Sequence, residues 1–319
     1  MRRFAGSANR QPVTLARQPD GGAILARRAD GACVFFDAAG GRRCAVHREL
    51  GEAVLPSACR QFPRVTLTDS RARWISLSHF CPTAAALLFT AAPVRIVDAP
   101  ESISLHGAAE GLDAAAALPP LLRPGMLMDY DGYDAWERGA IELLCTHGAN
   151  AGQAVAALDR MTRVIQRWSP GHGLLSDCVR QVFAEGGEGD AAVDQGSERE
   201  DYALALAAVS DGLDVPFAAP SEHLDVAAVE IIWNEFDGVI RRYLAAKLFG
   251  CWWPYLGLDL AAVVRAIQVH ASVLRMRIEA GVAQGDRGHQ ALLEAIRQSD
   301  LLMVHLADGP TLARSIANR

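Results

Sequence analysis

Apolar residues change their spacing along this chain near residue 95. Beyond that point they recur three and four apart over Tyr133–His147, Gln153–Arg167, Leu174–Ala184 and Tyr202–Asp211, the one-face pattern of an amphipathic helix. A longer helix is expected from Ser221, with Asp225 nearby as a start signal, to about Phe249. Leu258–Ala280 and Gln290–Ala307 follow as two more, the last closing near Gly309-Pro310. Glu185–Ser197, rich in Gly, Asp and Glu, reads as an exposed loop.

Before residue 95 the runs are short. Cys33-Val34-Phe35-Phe36 has strand character, Asp37–Gly41 is a turn and Arg42–Val46 a return strand, giving a hairpin with a cysteine on each arm. His47–Val54 supplies two helical turns that end before Pro56. Val65–Thr68 and Trp74–Leu77 flank an Asp-Ser-Arg turn as a second hairpin, after which Pro82 opens an Ala/Leu helix at its first turn. Residues 1–20 are polar, lack a sustained period and read as a loosely ordered leader. The expected fold class is therefore mainly α: a helical domain over 96–319, with a small N-terminal cysteine-rich unit of short strands and hairpins over 21–95.

Composition fits a globular protein. Of 319 residues, 50% are hydrophobic and 21% charged, enough apolar surface for a substantial core. Lys247 is the only lysine among 31 basic residues, which with abundant Ala and Gly reads first as GC-rich codon usage. Charge is uneven: residues 1–80 hold 13 Arg against 6 acidic residues, and residues 81–319 hold 18 basic against 31 acidic. A basic head on an acidic body can steer an acidic partner or a nucleotide-like cofactor. A merely solvated surface is the plainer reading, and no nucleic-acid partner is expected. Met1-Arg2-Arg3-Phe4-Ala5 leads into polar residues instead of an apolar signal stretch, and no run is long enough to span a membrane. A cytoplasmic location is expected.

Seven cysteines, an odd number, argue against a disulfide framework. Cys33, Cys44, Cys59 and Cys81 fall in loops or at the edges of short elements, where four thiolates can turn toward one point, as a tetrahedral zinc or a four-iron cluster requires. Cys81 precedes Pro82, as in the Cys-Pro ending of ferredoxin-type ligand runs. The plain alternative is that Cys33 and Cys44 are small buried hydrophobes and the other two incidental. His47 and His79 lie close enough in sequence to replace a thiolate, although an ordinary surface or core role is the simpler expectation. Cys145, Cys178 and Cys251 sit among Leu, Val and Phe and read as core.

The segments Cys33-Val-Phe-Phe-Asp, Arg43-Cys44-Ala-Val-His-Arg-Glu-Leu-Gly51, Leu55-Pro-Ser-Ala-Cys59-Arg60-Gln-Phe62-Pro63-Arg64 and Ile75-Ser-Leu-Ser-His-Phe-Cys81-Pro82 resemble the flagellin lysine N-methylase family. That family lies within a wider group of cysteine-cluster proteins described as zinc- or iron-chelating. The resemblance covers about residues 31–90, and Tyr243–Phe249 with Trp252-Trp253-Pro254 fits the family's helical tail less specifically. It implies an iron–sulfur protein that uses S-adenosylmethionine to methylate lysine side chains of flagellin, with Cys33, Cys44, Cys59 and Cys81 as cluster ligands. Family members also carry an upstream cysteine-rich segment with a Cys-Cys pair, whereas no cysteine precedes Cys33 here. The chain is then either a shortened relative or lacks its start.

Other candidate residues are less specific. Arg60 and Arg64 flank the cluster loop and could offset thiolate charge or bind a carboxylate of the cofactor. Asp129, Tyr130, Asp131, Tyr133 and Trp136 could cage a lysine ammonium, or simply lead into a helix. Trp252, Trp253 and Tyr255 could line a cleft or pack in the core. No strand, Gly-rich turn and helix of dinucleotide-binding type is present. The alternative function is non-enzymatic: a zinc- or iron–sulfur-stabilised head with a body that binds a protein partner, or a redox sensor.

Overall fold

The computed structural model describes residues 16–17, 23–24, 33–37, 43–90, 92–99, 111–146, 148, 150–186, 198–209, 217 and 226–318. Most of the leader, of the Asp37–Gly41 turn and of the Glu185–Ser197 loop, and the start of the Ser221 helix, lie outside them. The fold is mainly α, as the periodicity implies. Its contacts divide the chain into two compact units, Met1–Arg60 and Gln61–Arg319. The second hairpin and Cys81, grouped with the cysteine-rich unit in the sequence reading, thus belong to the larger unit.

In the first unit, β1 (Ala16–Arg17) pairs antiparallel with β2 (Ala23–Ile24), and β3 (Phe36–Asp37) with β4 (Arg43–Cys44), Phe36 facing Cys44. The expected return strand stops early. Ala45 and Val46 are consecutive buried residues, which a two-faced strand cannot provide, and they open helix α1 (Ala45–Leu50). A 3₁₀ turn at Glu52–Val54 leads to α2 (Ser57–Gln61). Arg48 of α1 ties back to Asp37 at 2.7 Å.

The second unit opens with the expected hairpin, β5 (Arg64–Thr68) against β6 (Arg73–Leu77), followed by α3 (Pro82–Leu87). A strand not expected from sequence, β7 (Gly111–Asp113), adds parallel to β5. It approaches so closely that a Cβ on Gly111 would lie 2.2 Å from the Thr66 carbonyl oxygen. The short pair β8 (Leu121–Arg123) and β9 (Met126–Leu127) precedes the helices. These are α4 (Tyr130–Thr146), α5 (Ala151–Ile165), α6 (Leu175–Glu185), α7 (Glu198–Ala207), α8 (Val226–Glu235), α9 (Asp237–Leu248), α10 (Leu260–Ala283), α11 (Gly288–Asp300) and α12 (Gly309–Ala317).

Local chemistry sets several boundaries. Asn150 and Gln153 form a capping box at α5, and the Asp259 and Asp308 carboxylates cap α10 and α12. The single helix expected up to Phe249 is two. Phe236 leaves the helical region (φ −106°, ψ 22°), its ring packing on Phe89, while Asp237 restarts the helix and accepts the Ala151 N–H at 2.6 Å. At the other end of α11 the backbone widens into a π-helix, Leu301–Leu306. Helix α10 is buried on almost every side and packs against α5, α7, α8, α9, α11 and α12, so it forms the axis of the core. None of the described helices is long and apolar enough to cross a membrane. Even α10 carries Arg265, Arg275, Arg277 and Glu279.

One polar clamp fixes the hairpin to this core. Asp69 is buried at the β5–β6 turn and accepts bonds from the Arg71 backbone and guanidinium, Trp74 Nε1 and the Tyr255 hydroxyl (2.6 Å). Arg71 reaches on to the fully buried Glu137 of α4 at 3.2 Å, its guanidinium between the rings of Trp74 and Tyr133 at 4.7 and 4.6 Å. Glu137 in turn accepts the Gly250 N–H at 3.1 Å. Gly250 has φ +58°, and a Cβ there would press on Trp74 at 3.2 Å, so the close approach of this turn needs glycine. Arg71→Ala strands two buried carboxylates and is expected to cost about 3–5 kcal/mol in urea unfolding. Arg138→Ala, which removes an exposed pair with Asp134, should cost about 0.5 kcal/mol or less; equal losses would refute the clamp.

Candidate functional site

Three of the four cysteines singled out by sequence flank or end short elements, and Cys59 lies in the middle of one. In the first unit, Cys33 accepts the Phe36 N–H at 2.9 Å ahead of β3, Cys44 ends β4 and takes the N-cap position of α1, and Cys59 lies exposed on α2. In the second, Cys81 takes the N-cap position of α3, directly before Pro82. Cys44 (φ −71°, ψ 121°) and Cys81 (φ −66°, ψ 122°) share one backbone conformation, and neither side chain caps its helix. No disulfide joins any of the seven cysteines. Among the described residues, no three Cys, His, Asp or Glu side chains are gathered as around a metal ion. Arg60 lies half-buried on α2, and Arg64 opens β5 opposite Leu77.

The other three cysteines differ in kind. Cys145 and Cys178 pack against the hydrophobic core and Cys251 lies within it. Burial pushes all three thiols up, that of Cys251 to about 12, with the Glu137 carboxylate adding to it. They are structural, as the sequence reading expects.

Of the residues considered for a lysine cage, Tyr133 and Trp136 are fully buried. Trp136 Nε1 donates to Thr162 at 3.0 Å, and Asp129 accepts the Gly132 N–H at the start of α4. His79 is likewise a core residue, while His47 is exposed on α1.

What sequence reasoning missed is a buried polar centre around Asp300, the last residue of α11. Its side chain is inaccessible to water. Oδ2 accepts from Lys247 Nζ at 2.7 Å and from the His79 backbone N–H at 2.5 Å, and Oδ1 accepts from the Tyr243 hydroxyl at 3.0 Å. His79 Nδ1 stands 3.4 Å from Oδ2. Burial alone would raise the Asp300 carboxyl, but the Lys247 ammonium and the His79 bonds outweigh it and hold it below the usual carboxylate range. Burial, with Lys247 adding to it, pushes His79 and His270 down, His270 to about 3; burial also lowers His305. In each case the shift favours the neutral imidazole. Ser78 Oγ meets His305 Nε2 at 2.7 Å, so the Ser78–Cys81 loop is tied to the π-helix as well as to Asp300.

Beside this centre lies a cavity of about 130 Å³. Val65, Leu77, Phe249, Leu256, Met303 and Val304 form its apolar wall, and Lys247, His270 and Trp252 also line it. Trp252 and Trp253 thus line a cleft, whereas Tyr255 serves the Asp69 clamp. A second, more polar cavity between α5, α7, α8 and α10 has its charges internally matched, Arg265 with Asp201 and Arg275 with Glu198 and Glu230. In sequence the only hint of the Asp300 centre is that Lys247 is the chain's sole lysine.

A buried neutral histidine binds its proton only on unfolding, so its contribution is present above about pH 6.5 and is lost as pH falls below it. Each such histidine adds a slope of about 1.4 kcal/mol per pH unit. Urea midpoints measured from pH 7.5 to 5.5 should therefore fall, and His270→Phe should remove one proton's worth of that slope. An unchanged slope in the variant would refute a neutral His270. Compared with protein-family models, with curated proteins and with solved structures, the chain matches none.

Proposed function

We propose that the chain is a cytoplasmic iron–sulfur cysteine-cluster protein, with Cys33, Cys44, Cys59 and Cys81 as ligands, that methylates lysine side chains of a flagellin-like protein using S-adenosylmethionine. The observation that carries the metal reading is the shortness of the first unit's described elements, two to six residues each, with Phe35, Ala45 and Val46 as the buried hydrophobic residues among those described. Elements so short call for a staple. With no disulfide present, Cys33, Cys44 and Cys59 are groups able to supply one, and Cys81 in its Cys-Pro setting is the fourth. Four thiolates suit an iron–sulfur cluster, with zinc as the alternative occupant. Metal binding and ordering of this unit would then be coupled.

The methylase reading rests on the resemblance of residues 31–90 to the flagellin lysine N-methylases. In it Arg60 and Arg64 offset the charge of the thiolate-bound metal or hold the donor's carboxylate. Burial of Tyr133 and Trp136, which removes one lysine cage, favours a second reading. In that reading the metal only fixes the small unit and the chain binds a protein partner or senses redox state.

Anaerobically isolated protein should be brown and carry about four irons per chain, and Cys59→Ala should lose the metal. Colourless protein with one zinc favours the structural reading, and wild-type protein without either metal overturns both. S-adenosylmethionine should bind the intact holoprotein and leave a methyl mass increment on a lysine-bearing substrate. Absence of binding would end the methylase reading alone.

A further inference from the structure

The cavity beside Asp300 combines features that structural packing does not require. It is about the size of an engineered cavity that binds benzene, roughly 150 Å³. One side of it is built by the π-helix, through Met303 and Val304; such wide turns occur frequently at functional sites. Lys247 and His270 bring polar groups to a mostly apolar wall, along with Ser76 and the Trp252 indole. Lys247 spends one hydrogen bond on Asp300 and has two further N–H donors on its ammonium. His270 is only 3% exposed and lines the cavity; its Nδ1, which meets no partner in the protein, is closed off from water, and Nε2 is the ring nitrogen left to face a ligand. Buried polar groups are ordinarily paired, so Nε2 and the remaining ammonium protons offer pairings that a ligand can complete.

Charge selects the ligand's class. Lys247 is balanced by Asp300, and the groups facing His270 are that pair together with the rings of Tyr243 and Trp253. A second anion would enter a site with no cation left to neutralise it. A hydrocarbon would leave the imidazole and the remaining N–H groups of the ammonium without a partner.

We propose that this cavity is a binding site for a small, uncharged, largely apolar carbonyl compound, its oxygen held by Lys247 and His270 and its apolar part by Phe249, Leu256 and Met303. The cavity is not lined by Cys33, Cys44, Cys59 or Cys81, so the two proposals fail separately.

Benzaldehyde, toluene and benzoate share one ring and differ only in this respect, and ligand-observed NMR on the full chain ranks them. Benzaldehyde is expected to bind about ten-fold more tightly than either of the others, the scale of one hydrogen bond gained. His270→Phe should cut benzaldehyde affinity about ten-fold and leave toluene unchanged, with circular dichroism confirming the fold. Toluene binding as well as benzaldehyde would reduce the cavity to an apolar void, and benzoate binding best would make it an anion site. Either result, or no binding by any of the three, overturns the proposal.

Discussion

A carboxylate cut off from water has to be met by donors from whatever surrounds it, and Asp300 is met from two directions. Lys247 and Tyr243 come from one face of α9, four residues apart, and the His79 N–H comes from the loop after β6. Removing any of them leaves charge or dipole unmatched in a dry interior, where the penalty is largest. The three elements therefore hold one arrangement. The π-helix that follows belongs to the same device. Ala307 donates to the Leu302 carbonyl at 2.8 Å, across five residues instead of four. The extra residue turns the positions after it by about 100° relative to an α-helix, and His305 arrives opposite Ser78. Loop, helix end and cavity wall are thus set by one buried anion.

The Asp69–Arg71–Glu137 clamp obeys the same logic at the other side of the hairpin. Hydrophobic contacts alone tolerate small shifts of a two-stranded ribbon over a helical surface. A guanidinium shared by two buried carboxylates and held between two aromatic rings does not. Trp74 joins both systems, donating to Asp69 and packing edge-on against Phe249 of the cavity wall at 5.9 Å. The β5–β6 hairpin is consequently part of the larger unit, with β6 contributing Leu77 to the cavity and leading directly into Ser78 and His79.

Most of the helices were legible in the sequence because each buries one face, and a face leaves a period. The β5–β6 hairpin was legible for a similar reason, since alternation and an Asp-Ser-Arg turn coincide. What was not legible depends on partners distant in the chain. The break at Phe236 interrupts no apolar period, because Asp237 resumes the helix at once and is used to cap α5. Strand β7 is three residues long and exists through its parallel pairing with β5. The unit boundary at Arg60 was hidden because the cysteines run past it, so their spacing joined in sequence what the contacts divide. Asp300 looked like an ordinary polar residue before an apolar run, since neither Lys247 nor His79 is near it in sequence. The four cysteines were legible as a pattern, and the residues placing each of them were not.

The sole lysine gains a physical meaning from its surroundings. Every other basic side chain in this protein is arginine, so codon bias alone would place arginine here too. A guanidinium binds a carboxylate best through two parallel N–H bonds, which needs both oxygens presented along one edge. That edge of Asp300 is already crowded, with Tyr243 on Oδ1 and the His79 N–H on Oδ2. A compact ammonium makes its single short bond to Oδ2 and fits beneath the Tyr243 ring, 5.4 Å from its centre. Arginine would bring a planar group into a space already divided between a phenol and a peptide, and would fill part of the cavity that Lys247 lines. The composition that made lysine rare therefore makes its one retained position informative. Here the geometry of the carboxylate decides the residue, and the same choice leaves a cationic donor facing an apolar cavity.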